Sequence, residues 1–290
     1  MNSDSASLNP HSAPPAGATL GLIAGNGCFP AFFVHNATAQ GHRVVVVAHR
    51  DETAEQGLEG ALAVGWIRVG QLRRMIAFLQ KHGVRDVAFL GGIRKTRLLK
   101  TLRPDWLGMR FLCSLATTND NELLSSLLHL LEKRGMRVFD PSSFLGECRA
   151  PRGVFSARQP SPQELAQGSI GWKTAQLLGQ ADVGQGVVVA AGSVVAVEAV
   201  EGTDELLKRA GSLIGRHHGV LVKRVKPQQD LRLDLPTIGP TTVRNAAEAS
   251  VRCIVVEAGH TLLVDPMETV RLADQLGVCL IGGHGAELTL

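Results

Sequence analysis

The first half of the chain alternates between two hydrophobic periods. Short apolar runs at 20–24, 43–48, 86–90 and 136–139 read as strands, and the stretches near 29–40, 71–82 and 121–134 repeat their apolar residues at helical spacing. Strand–helix–strand order of this kind predicts a parallel sheet covered on both faces. Residues 146–163 then bring prolines and little periodicity, which places a domain boundary at 150/151.

The second half is patterned differently. A helix is expected over 162–178, and the runs 186–190 and 194–199 flank Ala191-Gly192-Ser193 as a hairpin rather than a crossover unit. Thr203 is placed to cap the next helix, with Asp204 and Glu205 favourable in its first turn. Strands at 220–225, 253–257, 261–264 and 279–281 alternate with helices at 241–249 and 266–276, giving a mixed α/β domain without an internal repeat. The expected fold class is therefore α/β, a parallel-sheet domain over 19–150 followed by a mixed α/β domain over 151–290.

Composition narrows the function. A chain of 290 residues with 44% hydrophobic content can bury two cores. It has no Tyr, three Trp and a net charge of +4, so the stacking platforms and strong basic field of a nucleic-acid binder are missing. Cys28, Cys113, Cys148, Cys253 and Cys279 form no C-x-x-C pair and read as reduced packing residues in a cytoplasmic protein. Residues 1–18 lack a cationic and an apolar signal region and read as a flexible polar tail. The uncharged run 183–197 falls short of the roughly 20 apolar residues a spanning helix needs, so the protein is expected to be soluble or to sit on a membrane surface.

Candidate chemistry concentrates in KPQQDLRLDLPTIG, residues 226–239. Asp230 and Asp234 are hard oxygen ligands of the kind Mg²⁺ prefers, and Lys226 and Arg232 can neutralise phosphate oxygens. The same composition also describes an exposed edge strand entering a proline turn, and composition alone leaves the two readings level. The chain offers no G-x-S-x-G elbow and no cysteine in a catalytic motif, which favours direct attack by water over a covalent intermediate.

The block matches every fixed position of K-P-x-Q-D-x-R-x-D-L-P-x-I-G. It resembles the signature of the bacterial UDP-2,3-diacylglucosamine pyrophosphatases that are not calcineurin-like metallophosphoesterases. Three further segments fit the same family: LGLIAGNGCFP at 20–30, DVGQG at 182–186 and VEAVEGTD at 197–204. The resemblance implies a Rossmann-like N-terminal domain holding the uridine nucleotide, a C-terminal catalytic domain, and Mg²⁺ as cofactor. It implies hydrolysis of UDP-2,3-diacylglucosamine to UMP and 2,3-diacylglucosamine 1-phosphate, a step toward lipid A, with attack at the sugar-side phosphorus. Asp234 and Asp230 are the expected catalytic and metal-binding residues. Substrate contacts are expected from Gly25, Asn26, Gly27, Pro30, Gly184, Gln185, Gly186, Glu198, Thr203, Lys226, Gln229, Arg232 and Thr237. A nucleotide-sugar transferase and a non-catalytic nucleotide- or lipid-binding module are the alternatives.

Several residues carry two readings. The loop Gly25-Asn26-Gly27-Cys28-Phe29-Pro30 follows the first strand, where a helix N-terminus can approach phosphate, yet it is G-x-G-x-x-P rather than a dinucleotide fingerprint. Residues 68–110 hold eleven Lys or Arg against Asp86 and Asp105, a local balance of +9. Within them 93–107 interleaves cations with leucines and Trp106, as either a solvated basic face or a surface for anionic inner-membrane lipid. A homo-oligomer is compatible with the sequence. Where relatives commonly read G-D-D-x-L-L, this chain has Asn119-Asp120-Asn121-Glu122, so only Asp120 keeps its acid, and a helix cap is the favoured role there. Adjacent His217 and His218 point apart on a strand entry, which disfavours joint metal ligation. Glu257 is expected to support a turn.

Overall fold

The computed structural model describes residues 13–93, 102–114, 120–227 and 235–290, with only the backbone at 112, 114 and 120–124. The chain divides into two compact units that meet in sequence at Gly146 and Glu147.

The first unit carries a five-stranded parallel sheet in the order β3-β2-β1-β4-β5, five of the six strands of the Rossmann order 3-2-1-4-5-6. Its strands are β1 (Thr19–Ala24), β2 (Arg43–His49), β3 (Ala63–Ile67), β4 (Asp86–Leu90) and β5 (Arg137–Val138), and its helices α1 (Phe29–Ala39), α2 (Leu72–Lys81), α3 (Trp106–Ser114) and α4 (Asp120–Glu132). Alternation along the strands sends Ile23, Val45, Val47 and Val87 to one face, against Met75, Ile76 and Leu79 of α2 and Leu128 and Leu131 of α4. Under α1, Phe33 packs against Phe139 and Phe144, with ring centroids 6.4 and 5.1 Å away. Each strand and helix expected in this unit is present to within two residues. Two elements, β3 and α3, were not expected. In β3 the apolar pattern is interrupted by Gly65, and the Phe78 ring lies where a Cβ would stand, 2.8 Å away.

The second unit is built on a six-stranded mixed sheet in the order β6-β13-β11-β9-β7-β8. These are β6 (Gly153–Val154), β7 (Gly186–Ala190), β8 (Ser193–Val197), β9 (Gly219–Lys223), β11 (Val251–Glu257) and β13 (Cys279–Gly283). The three central strands β9, β11 and β13 run parallel, and β7 and β8 form the expected antiparallel hairpin. A separate parallel pair joins β10 (Thr237–Ile238) to β12 (Leu262–Leu263), so the run at 261–264 leaves the main sheet. One face is covered by α5 (Pro162–Gln180), whose fully buried Trp172 meets Val187, Val189, Val220, Val222 and Ile281. The other is covered by α6 (Thr203–Ile214), α7 (Pro240–Glu248) and α8 (Pro266–Leu276) through Leu206, Leu207, Val243, Ala246, Leu272 and Ala273. Cys253 and Cys279 are register partners on β11 and β13, reduced and buried as expected.

Helix α5 begins at a full capping box, Ser161 accepting from the Glu164 amide and Glu164 accepting from the Ser161 amide. Helix α6 departs from the expectation: Gly202 is its N-cap, and Thr203 is its first helical residue and donates its hydroxyl elsewhere. Asp204 and Glu205 do occupy the first turn.

Gly171 sets the distance between α5 and the sheet, since a Cβ there would stand 2.5 Å from Val222 Cγ2. Gly→Ala in an exposed helix gains about 1 kcal/mol, whereas forcing an atom into a packed core costs about 1–3 kcal/mol. Gly171→Ala is therefore expected to lower the urea midpoint of the protein, and a raised midpoint would show that helix propensity dominates there.

Candidate functional site

In parallel sheets buried on both faces, ligands gather where the strands end at their carboxyl edge. In the first unit this edge is closed by two glycine loops packed on each other. The Gly25 amide donates to the Leu90 carbonyl (2.8 Å) and the Asn26 amide to the Gly92 carbonyl (2.8 Å). A Cβ on Gly25 would collide with the carbonyls of Gly91 and Gly92, so glycine is required by the close approach of the two backbones. The amides of Gly25 and Asn26 are thus committed within the protein. Pro30 lies in the first turn of α1, whose N-cap Cys28 makes no side-chain capping bond, and Gly27 has φ 92°. The buried side of the edge is polar. His49 Nδ1 lies 2.9 Å from the Ala24 carbonyl, which also accepts from Thr53 Oγ1 (2.7 Å), and Asn26 Nδ2 donates to Glu52 Oε2 (3.3 Å).

In the second unit the corresponding edge collects charged groups. Antiparallel pairing sets Gly186, the first residue of β7, beside Lys223, the last of β9. The Lys223 ammonium is buried and donates to Thr203 Oγ1 (2.8 Å) and the Thr237 carbonyl (3.1 Å). Thr203 Oγ1 donates in turn to Glu198 Oε1 (2.9 Å), while Glu198 Oε2 is buried without a hydrogen-bond partner. Lys223, Thr203 and Glu198 thus form one relay, buried at its lysine and glutamate ends. Gly184 and Gly186 are held against Glu198, since a Cβ on either would collide with its carbonyl or its carboxylate. Gln185 between them accepts from the Arg224 amide (3.0 Å).

Beyond β9 the backbone is braced from three sides. Arg224 lies over the Trp172 ring, 4.1 Å from its centroid, and its guanidinium meets Glu257 Oε2 (3.6 Å). The same carboxylate accepts from the Val225 amide (3.1 Å), while the Glu257 carbonyl accepts from the His260 and Thr261 amides and closes the turn expected at 257–259. Lys226 Nζ pairs with Asp182 Oδ1 (2.8 Å), and Asp182 adopts a left-handed backbone with φ 54° between α5 and β7. The end of α5 packs on the same turn, where a Cβ at Gly179 would stand 3.0 Å from Pro227 Cδ.

One sheet edge therefore brings together Gly184, Gln185, Gly186, Glu198, Thr203, Lys226 and Thr237 of the expected contacts. Gly25, Asn26, Gly27 and Pro30 belong to the other unit. Gln229, Asp230, Arg232 and Asp234 lie outside the described residues, as do Asn119 and the side chains at 120–124. Among the described residues no group of three or more His, Cys, Asp or Glu converges. No helix among them is long and apolar enough to cross a membrane. Sequence reading missed Lys223, Asp182 and Arg224; a lysine closing the apolar run Gly219-Val220-Leu221-Val222 was the available signal for the first.

Comparison with known proteins gives the lineage. The LpxI N-terminal domain matches residues 19–148 and the LpxI C-terminal domain residues 151–281. The chain belongs to the LpxI family. The UDP-2,3-diacylglucosamine pyrophosphatase LpxI of Caulobacter vibrioides is 35% identical over 273 residues, covering 91% of this chain and 96% of the relative. Solved structures overlap only loosely. A biotin carboxylase–β-γ-ATP complex from Campylobacter jejuni gives a TM-score of 0.28 at 15% identity, over 65% of this chain and 33% of that one. The crystal structure of gox2253 also gives 0.28, at 11% identity over 92% and 89%. Likenesses at that level carry no argument about this LpxI-family chain.

The His49 imidazole titrates below its ordinary value of 6.5, chiefly because burial penalises the cation, although the Ala24 carbonyl and Glu52 pull the other way. The unfolded chain therefore binds this proton more readily. Its contribution to stability is complete above pH 6.5 and declines as the pH falls below that value, by at most ~1.4 kcal/mol per pH unit for one proton. Thermal midpoints measured between about pH 7.5 and about pH 5.5 should fall less steeply for His49→Gln than for the parent. Parallel slopes would remove His49 from the acid response.

Proposed function

We propose that this chain hydrolyses the pyrophosphate bond of UDP-2,3-diacylglucosamine, releasing UMP and 2,3-diacylglucosamine 1-phosphate for lipid A synthesis. The observation that carries the reading is the unbroken 226–239 signature, whose described ends, Lys226 and Thr237, stand at the carboxyl edge of β9 beside the Lys223–Thr203–Glu198 relay. Membership of the LpxI family and the activity in the Caulobacter relative's name support it.

In this reading Lys226 and Arg232 hold phosphate oxygens, and Lys223 adds a buried positive charge that Thr203 and the Thr237 carbonyl keep fixed. Gly184 and Gly186 let the backbone close onto Glu198, which holds its carboxylate at this edge. Asp234 orients the attacking water and takes its proton while the water oxygen bonds to phosphorus. The bridging P–O bond then breaks and its electron pair leaves on the departing phosphate. The donor set fits a hard divalent cation: Asp230 and Asp234 offer carboxylate oxygens, and Glu198 Oε2 is a buried carboxylate oxygen without a partner. Mg²⁺ held there would offset the negative charge of the pyrophosphate. The glycine loop at 25–30, with the start of α1, is the proposed contact for the uridine nucleotide.

Purified protein incubated with UDP-2,3-diacylglucosamine should release UMP in the presence of Mg²⁺ and not after chelation. Asp234→Asn should lose roughly 10²- to 10⁴-fold in rate while keeping the parent's thermal midpoint and still binding substrate. Near-normal turnover by that variant would remove Asp234 from the chemistry, and no UMP from the parent would overturn the reading as a whole.

The basic segment from Arg94 to Arg103 is proposed to face anionic lipid at the membrane that supplies the acylated substrate. Most of it lies outside the described residues, but its neighbours Trp106 and Met109 are exposed, with the Arg110 guanidinium 5.2 Å from the Trp106 ring centre. A basic residue near such a surface contributes about 1 kcal/mol. Replacing Arg94, Lys95, Arg97 and Lys100 by Gln should therefore weaken binding to anionic vesicles at low salt by several orders of magnitude. Unchanged vesicle binding would refute the assignment.

A further inference from the structure

The carboxyl edge of the second sheet holds the proposed pyrophosphatase site. The opposite edge of the same sheet carries a cavity of about 560 Å³, within the range of small-ligand sites. Its walls come from the start of α5, the turn before β9, the start of β11 and the turn before β13, which contribute Arg158, Gln167, Arg216, His217, His218 and Arg252.

Three arginines face one acid there. Arg158 is spent on Glu164, with bonds of 3.0 and 2.6 Å, and also donates to the Arg252 carbonyl. That pair fixes the capping box of α5 and carries no net charge. Arg252 gives one hydrogen bond, from Nη1 to the Leu276 carbonyl (2.9 Å), and has the rest of its fork to offer. Arg216, His217 and His218 stand exposed at the mouth. Three arginines less one glutamate leave a balance of +2, close to the N-terminus of a 19-residue helix. A second, independent observation comes from the wall itself. Gln167 is 97% buried, and its Oε1 has no hydrogen-bond partner. A buried acceptor left unpaired costs about as much as a lost hydrogen bond, so the site wants a donor as well as an anion.

We propose that this cavity is a binding site for a small phosphate monoester bearing hydroxyl groups, such as a sugar phosphate, separate from the pyrophosphatase site. The phosphate would meet the Arg216 and Arg252 guanidiniums, which match its oxygens in a fork, and turning over the Gln167 amide, whose Oε1 is closed off from solvent as it stands, would present that oxygen to a ligand hydroxyl. Ser161 and Gln163 at the rim offer further polar contacts. The inference does not rest on the pyrophosphatase reading, because none of these residues belongs to that site.

The test uses the full-length protein and calorimetric titration with glucose 6-phosphate, inorganic phosphate and glucose, and with phosphatidylglycerol vesicles. The parent should bind glucose 6-phosphate more tightly than inorganic phosphate and should not bind glucose. The triple variant Arg216→Gln, His217→Gln, His218→Gln changes only exposed residues. It should bind the sugar phosphate at least about tenfold more weakly, the loss of one charge-assisted hydrogen bond, with UMP release unchanged. Gln163→Glu, which sets a carboxylate at the exposed rim, should weaken binding in the same direction and serves if the triple variant does not fold. Equal affinity in parent and variants, no binding of either phosphate by the parent, or loss of vesicle binding alone in the triple variant would each overturn the proposal.

Discussion

Both faces of the five-stranded and six-stranded sheets are covered by helices, and that constraint decides where a charge can stand in this protein. Strands such as β7, β9 and β13 are buried at every position, so an ionised side chain inside them would have to leave water without a partner. Charges therefore collect where strands stop. Lys223 is the last residue of β9, Glu257 the last of β11, and Glu198 follows β8 directly. The charged groups are confined to an edge by the same burial that holds the fold together.

At that edge each buried charge is provided with partners. The Lys223 ammonium has two acceptors, one of them a hydroxyl that passes the polarisation on to Glu198. Arg224 meets a carboxylate, two backbone carbonyls, an amide oxygen and an indole face. Such networks add little net stability, because desolvation consumes most of what attraction returns, but removing one member leaves a buried charge unpaired and costs several times as much. Their effect is to fix geometry. Glu257, Asp182 and the end of α5 all act on the same few residues, 224–227, from which the signature block departs.

The sequence made most of the elements legible, because strands buried on two faces are continuous apolar runs and the helices between them keep a clean period. It failed where packing overrode pattern. Gly65 breaks the apolar run of β3 because an aromatic ring from α2 takes the space of its missing side chain. Thr203 looked like a cap, but a buried lysine twenty residues away claims its oxygen and a glutamate accepts its proton. The site was legible only through the 226–239 block and the glycine segments that resemble a known family. The relay joining residues 198, 203, 223 and 237, and the ion pair between 182 and 226, are long-range products of the fold, and no local spacing announces them.

Helix α5 touches both ends of its sheet. Its first turn borders the cationic cavity, and its last residues lie against Lys226 and Pro227. Nineteen residues at 1.5 Å each make a rod about 28 Å long, more than three times the ~8 Å over which salt screens charge at physiological ionic strength. Through the solvent around the protein, a charge bound at one end is felt only weakly at the other. What joins the two ends is packing: Gly171 lies against Val222 and Trp172 is fully buried, so the middle of the helix is fastened to the sheet between them.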